Sequence, residues 1–402
     1  MRILHTSDWH LGKYLEGYSR LEEQEKFIED LSGIVDEQDI DLIIIAGDIY
    51  DTSNPPAMAE RLFYRAMKKL SNNGERIILV IGGNHDNPDR LVSSKPLATE
   101  LGILLIGTPK SRVDIGSVGN HEIVDSGEGF LEIKINGENA VILTLPYPSE
   151  QRLNEVFHKG KDEEEIQKEY SEKVGEILAK LSKKYREDTI NICTSHIFVL
   201  GGRSTDSERT IQVGGGLTVD GSHLPKDAQY IALGHLHRSQ RAGGTTNGYY
   251  SSSPIQYSKS ESNHKKYLYV VDLKPKEEAV IEEVELNIYK PIEVWKCNGV
   301  EEAIEKCIEN KDREVWVYLE IKTDSVITQS QLKEIKSIKP DILTITPIIN
   351  ATEVEEEELE NFEDKDIADL FKSFYIERNK VEPSEEFMTV FNEIISEEGE
   401  VD

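Results

Sequence analysis

The stretch Asp41-Leu42-Ile43-Ile44-Ile45-Ala46-Gly47-Asp48 decides how this chain is read. A short β-favouring apolar run closes on a glycine-bearing turn, and an aspartate stands where the strand ends. The same device recurs outward in both directions. Arg2–Thr6 leads into Asp8-Trp9-His10, and Ile77–Ile81 into Gly82-Gly83-Asn84-His85-Asp86. Ile190–Thr194 leads to His196, and Tyr230–Leu233 to Gly234-His235-Leu236-His237. Further apolar runs stand at Ile103–Ile106 and Val141–Leu145, and helical spacing at Leu21–Glu37 and Ala57–Leu70. Sheets covered by helices, an α/β core of four layers or fewer, follow from that alternation. Glu163–Arg186 has apolar residues at helical spacing among many charges and reads as a surface helix.

Each piece alone is weak: a Gly-Asp is usually a turn, and a single strand-end histidine usually caps or packs. Five such clusters in fixed order, each after an apolar strand, are a different matter. In extended backbone, residues i and i+2 point the same way, so Asp8/His10 and His235/His237 would each converge. Carboxylate, imidazole and amide oxygen together suit first-row divalent ions such as Mn²⁺, Fe²⁺ or Zn²⁺. Seven donors are too many for one ion and about right for two that share a bridging carboxylate.

This order of motifs resembles the calcineurin-like metallophosphoesterases over roughly residues 1–270. The resemblance implies two β-sheets packed face to face and flanked by helices, with metals at the strand ends. It implies one ion on Asp8, His10 and His237, a second on Asn84, His196 and His235, and Asp48 bridging the two. His85 would contact the scissile phosphate and assist the leaving oxygen. Asp51, three residues after the bridge, would orient His85 by a carboxylate–imidazole pair; its alternative role is to cap the turn at Thr52 and Pro55-Pro56.

Narrower phrases resemble the SbcD family within that superfamily: Ala46-Gly47-Asp48-Ile49-Tyr50-Asp51-Thr52, Ser207-Glu208-Arg209, Ala232-Leu233-Gly234-His235-Leu236-His237 with Gln240, and Tyr250-Ser251-Ser252-Ser253-Pro254, where Ser252 replaces the usual glycine. That resemblance implies a Mn²⁺-dependent nuclease acting on double-stranded ends, hairpins and single strands of DNA at the nucleoid. It also implies a homodimer within a heterotetramer, with the coiled-coil ATPase SbcC as partner. Dimerisation would use helices near Ala57–Leu70 and Pro88–Leu97, although Leu62, Phe63, Met67 and Leu70 could equally face the chain's own core. No Walker A sequence occurs, and the glycines at 201–202 and 214–216 lack the Gly-Lys-Ser/Thr ending, so no nucleotide is expected on this chain. Two competing readings remain open: a small-molecule or cyclic-nucleotide phosphodiesterase, and a non-cutting scaffold for a DNA-bound ATPase.

The net charge of −30 argues against tight non-specific DNA binding by this chain alone. Residues 351–402 hold 19 Asp/Glu against 4 Lys/Arg, so −15 of that excess lies in the tail. Three scattered cysteines (Cys193, Cys297, Cys307) suit a reducing cytoplasm and carry no chemistry, and with no leader and no long apolar stretch a cytoplasmic protein is expected.

From about residue 275 the character changes. Val280–Leu286, Val300–Ile308, Val315–Ile321, Gln331–Ile335 and Ile342–Ile348 read as strand, helix, strand, helix, strand. The expected division is a nuclease domain at 1–274, a small α+β capping domain at 275–350, and an acidic linker (Glu353–Glu360) with two amphipathic helices at 351–402. In those helices Ile367, Leu370, Phe371, Phe374 and Tyr375 share one spacing with Phe387, Val390, Phe391, Ile394 and Ile395. Ser384 reads as the N-cap of the second. Two such stripes suggest a docking site for SbcC, or else a self-paired hairpin.

Overall fold

The computed structural model describes residues 1–154, 162–208, 217–323, 326–348, 367–379 and 381–398. It divides into two compact units, Met1–Tyr289 and Lys290–Asp402.

The first unit has four layers. One sheet has six strands in the order Val280–Leu286, Lys266–Asp272, Arg2–Thr6, Leu42–Ile45, Ile77–Ile81, Ile103–Ile106. The last four run parallel, and the two before them are antiparallel additions. Period two decides its packing. Leu4, Ile43, Ile45, Ile78 and Val80 face the helices Leu21–Glu37 and Ala57–Leu70, whereas Ile3, Leu42, Ile44, Ile77, Leu79 and Ile81 face the second sheet. Burial on both faces is why these strands read as unbroken apolar runs. The second sheet has eight strands, with Glu138–Leu145, Ile190–His196, Tyr230–Gly234 and Gly248–Tyr250 parallel at its centre.

The helix expected over Glu163–Arg186 spans Glu163–Leu181. It is not merely a surface element: Tyr170, Val174 and Leu178 pack against Val141, Leu143, Cys193 and Ile231 on the outer face of the second sheet. Leu62, Phe63, Met67 and Leu70 likewise belong to the chain's own core, which settles their alternative. Exposed apolar side chains in that region are Met58, Tyr64 and Leu97.

The expected boundary at 275 needs correction. Val280–Leu286 is the edge strand of the first sheet, paired from Asp272↔Val280 to Lys266↔Leu286. Its Val-Ile-Glu-Glu-Val-Glu-Leu is polar because most of the strand faces solvent. The composition shift therefore marks exposure and not a new module. The second unit begins with a strand missed in the sequence, Ile292–Cys297, parallel to Trp316–Lys322, which is parallel in turn to Ile342–Ile348. Helices Val300–Glu309 and Gln329–Ile338 connect them, the latter started by a Thr328/Gln331 capping box.

The terminal helices span Ile367–Asn379 and Glu385–Glu398. Ser384 Oγ accepts from the Phe387 N–H at 3.1 Å, as an N-cap does. The acidic linker Glu353–Glu360, Arg209 and the glycines 214–216 lie outside the described residues. No helix among the described residues is long and apolar enough to cross a membrane.

A chain ending at Tyr289 should fold with a cooperative thermal transition. One ending at Lys274 loses the strand covering Lys266–Asp272, leaves a bare apolar edge, and should melt lower and self-associate. Equal melting and equal monomer content on sizing would refute this boundary.

Candidate metal centre

The strands deliver their polar residues to one point, but not by extended geometry. The first strand stops at Thr6, and Asp8 (φ 55°), His10 (φ 45°), Asp48 (φ 51°) and His235 (φ 109°) all have positive φ. Non-glycine residues avoid this region at a cost of about 1–3 kcal/mol each, so the surroundings must impose it. Main-chain bonds lock the first two loops side by side: Asp8 N–H to Gly47 O at 3.0 Å, His10 N–H to Asp48 O at 3.0 Å, and Leu11 N–H to Ile49 O at 2.9 Å. The convergence of Asp8 with His10, and of His235 with His237, is thus made by turns and not by strand period.

Three glycines are obligatory here, and at Gly234 a Cβ would strike the Ala46 carbonyl. Gly47 has φ +94°, and a Cβ on it would strike the His196 ring; a Cβ on Gly83 would strike Asp48. Gln24, on the helix Leu21–Glu37, braces the first loop, donating to His10 O at 2.8 Å and accepting from Gly12 N–H at 3.0 Å. Asp86 holds two others together, accepting from the N–H groups of Gly83 (2.9 Å), Ile49 (3.1 Å) and Tyr50 (3.0 Å). Arg152 clasps the outside of the 83–86 loop through the carbonyls of Gly83 and Asp86. Nothing in the sequence singled out Gln24 or Arg152, because their work is on main-chain atoms.

All seven expected donors meet. Asp48 is 2% exposed, and its Oδ2 lies 3.4 Å from His196 Nε2, 3.6 Å from His10 Nε2 and 3.9 Å from His85 Nε2. Asn84 Oδ1 is 2.8 Å from His196 Nε2 and 3.2 Å from His235 Nδ1. His10 Nε2 and His237 Nε2 are 3.0 Å apart. Among the described residues three groups have the reach to share an ion: Asp8 with His10 and His237, Asp48 with His196 and His235, and His10 with Asp51 and His85.

Asp51 departs from expectation. His85 Nδ1 donates to the main-chain carbonyl of Asp51 at 2.6 Å, not to its carboxylate. The carboxylate accepts from Lys13 Nζ at 2.8 Å and lies 3.5 Å from His10 Nδ1. Asp51 therefore anchors His85 through its backbone and faces His10 with its side chain. Lys13 was missed because it lies in a loop with no motif around it.

Electrostatics prepare these groups for cations. Burial pushes the pKa of His10 down to about 4 and that of His235 to about 3, and lowers that of His237 as well, so these imidazoles are neutral. Burial works against charge on Asp48, yet His196 and His85 beside it hold its pKa well below the usual range. Burial would also strip His196 of its proton, but the Asp48 carboxylate outweighs that and raises it to about 9. Burial raises Asp8 to about 7. Neutral imidazoles facing each other across 3.0 Å around a buried carboxylate fit divalent cations well. With no ion between them the two facing nitrogens can only share one proton, and His10 Nδ1 lacks a hydrogen-bond partner of good geometry.

Ligands bind metal deprotonated, so uptake must release protons. Asp8 takes up its proton as pH falls through about 7, and His196 keeps one until about 9. Divalent-cation affinity should therefore fall steeply below pH 7 and go on rising towards pH 9. Calorimetric titration with Mn²⁺ in buffers of different ionisation enthalpy should show about one proton released at pH 8 and more near pH 6.5. Affinity independent of pH from 6 to 9 would contradict this electrostatic picture.

Comparison with known proteins gives the same answer. Residues 1–239 match the calcineurin-like phosphoesterase family, and residues 288–379 match the family described as the type 5 capsule protein repressor C-terminal domain. The chain is 41% identical to the SbcD subunit of the nuclease SbcCD of Bacillus subtilis (strain 168), over 98% of each chain. It is 31% identical to the protein of that name from Staphylococcus epidermidis, covering 87% of this chain and 86% of the relative. With the Escherichia coli (strain K12) protein of the same name it shares 28%, over 83% and 81%. A buried carboxylate ringed by strand-end imidazoles, in a chain alike from end to end, leaves one assignment: this protein belongs to the calcineurin-like phosphoesterases, in the SbcD family of nuclease subunits.

Proposed function

We propose that this chain is the catalytic subunit of an SbcCD-type DNA nuclease, a two-metal phosphodiesterase that works with the ATPase SbcC. The observation that carries this is the gathering of Asp8, His10, Asp48, Asn84, His196, His235 and His237 around one buried carboxylate, with His85 Nε2 turned inward beside them. The mixed donor set supports Mn²⁺. Two divalent ions, when bound, supply a water of lowered pKa and neutralise the phosphodiester's charge for in-line attack.

The chain's own residues supply the rest. Because His85 Nδ1 is committed to the Asp51 carbonyl, its proton exchange with substrate is confined to Nε2. When the ring carries its second proton there, it can hand that proton to the departing oxygen and return to its neutral Nδ1–H form. A chain of net charge −30 has little grip on DNA of its own, which supports a partner that supplies both the grip and ATP binding. In this reading the substrates are double-stranded ends, cut exonucleolytically, and single strands or hairpins, cut endonucleolytically.

His85→Gln should leave Mn²⁺ uptake intact and lower cleavage of linear and hairpin DNA by roughly 10²–10⁴-fold, the scale of a lost acid–base group. Asp51→Asn, which keeps the main-chain carbonyl, should cost far less. Loss of Mn²⁺ in proportion to activity in His85→Gln would make His85 a ligand. A higher rate on a phosphomonoester or a cyclic dinucleotide than on DNA would favour a small-molecule enzyme.

The terminal helices support the docking of SbcC. Phe371 stacks on Phe391 with ring centres 3.7 Å apart, and Phe387 packs against Phe371 and Tyr375, so part of each stripe seals a helical hairpin. The connecting segment ties to the second unit's sheet-and-helix body through Glu382 N–H to Ile327 O and Gln329 N–H to Glu382 Oε2. Ile367, Phe374, Val390 and Ile394 nevertheless stay more than half exposed. Four apolar side chains left out by a hairpin held in place make a partner surface. Exposed Met58, Tyr64 and Leu97 support a homodimer contact in the first unit, giving a heterotetramer with SbcC.

Phe374→Glu with Ile394→Glu should abolish co-purification with SbcC and any ATP stimulation, while Mn²⁺-dependent cleavage by the isolated subunit persists. Full complex formation by this variant would place the contact elsewhere.

A further inference from the structure

Behind His237 lies a row of polar side chains, half-buried at Ser207 and fully buried at its far end, that the chemistry above does not use. His237 Nδ1 is 2.5 Å from Ser207 Oγ, and Ser207 Oγ is 2.6 Å from Glu261 Oε1. The other oxygen of Glu261 pairs with Lys266 Nζ. Glu261 and Lys266 have no exposed surface at all. Lys266 also donates to the His237 carbonyl at 2.9 Å and to Ser253 Oγ at 2.7 Å, and Glu208 Oε1 accepts from the His237 N–H at 2.8 Å. Ring, N–H and carbonyl of this one residue are all held.

A buried ion pair is a poor way to gain stability, since an apolar pair of similar size often does better. Its position suggests another use, and the proton count says which. An ionised carboxylate only accepts, and Glu261 is kept ionised: burial opposes the charge, but Lys266 draws its pKa below the usual range. Glu261 Oε1 also accepts from Ser258 Oγ at 2.9 Å, so no proton is available from its own side. The single hydroxyl proton of Ser207 must then lie between Ser207 and Glu261, because without it two bare oxygens would stand 2.6 Å apart. Ser207 can offer His237 only a lone pair. His237 must therefore carry its proton on Nδ1 and leave Nε2 bare.

We propose that Ser207, backed by the buried Glu261–Lys266 pair, is a positioning residue that fixes His237 as its Nδ1–H tautomer and aims Nε2 at the cation shared with Asp8 and His10. This rests on the reading of His237 as a metal ligand. The row draws on residues from 207 to 266, Lys266 standing at the start of a strand of the first sheet. It lowers the cost of metal uptake, since no tautomer has to be selected and no ring turned when the ion arrives.

Calorimetric titration of the full chain with Mn²⁺ tests it. Ser207→Ala should keep the wild-type melting temperature and one ion at wild-type affinity, while the other binds about 10–100-fold more weakly. Ser207→Thr, which retains the hydroxyl, should restore that ion. Ring ¹⁵N spectra of histidine-labelled protein, with His237 assigned by its loss in His237→Ala, should show a protonated Nδ1 in the wild type and a tautomer mixture in Ser207→Ala. If His237→Ala loses one ion while Ser207→Ala binds both as the wild type does, the positioning role is refuted. If His237→Ala itself keeps both ions, the ligand reading fails, and the proposal with it.

Discussion

A carboxylate that is 2% exposed cannot stay ionised unless cations or donors surround it, and Asp48 sets that condition for the whole first unit. The first sheet brings the loops carrying Asp8 and His10, Asp48 and Asp51, and Asn84 to Asp86. The second brings His196, His235 and His237. Neither sheet alone carries enough groups. The two layers must therefore meet at their strand ends as closely as backbone allows, which is why a Cβ at Gly47 or Gly83 would collide with the side chains gathered there. The packed β-layers of Ile3, Leu42, Ile44, Ile142 and Ile192 hold that approach by burying apolar surface away from the site.

Around Asp48 three imidazoles, those of His85, His196 and His237, have Nδ1 spoken for and Nε2 turned inward. His196 Nδ1 donates to Ala46 O at 2.9 Å, His85 Nδ1 to Asp51 O, and His237 Nδ1 to Ser207, while His10 Nδ1 faces the Asp51 carboxylate. Such partners fix ring orientation before any ion is bound. Positive φ at Asp8, His10, Asp48 and His235 is the backbone's share of the same arrangement; main-chain bonds hold the first three, and the Asp8 carboxylate accepts from the His235 N–H.

The second unit obeys simpler physics. Parallel strands Ile292–Cys297, Trp316–Lys322 and Ile342–Ile348 with two helices enclose a small core of Val300, Ala303, Cys307, Leu319, Ile321 and Ile335. The helical hairpin adds aromatic stacking of its own and leaves an apolar stripe in water.

Much of this was legible in the sequence. Strand positions and the helix stripes follow from periodicity, and the polar clusters at the strand ends from the same local pattern. The boundary at 275 misled because Val280–Leu286 takes its polarity from being an edge strand, and edge status depends on which strands pair. Asp51 misled in the same way: three residues from Asp48 it was placed correctly, but whether carboxylate or carbonyl meets His85 depends on a turn that only the folded loops define. Gln24, Arg152, Glu261 and Lys266 lie far along the chain from the groups they hold and act largely on main-chain atoms or through another side chain, so no spacing announces them. The sequence by itself determined which chemistry is available and on which strand ends it stands. Only the tertiary structure decided which nitrogen of each histidine is free, because that depends on a hydrogen-bond partner brought in from a distant part of the chain.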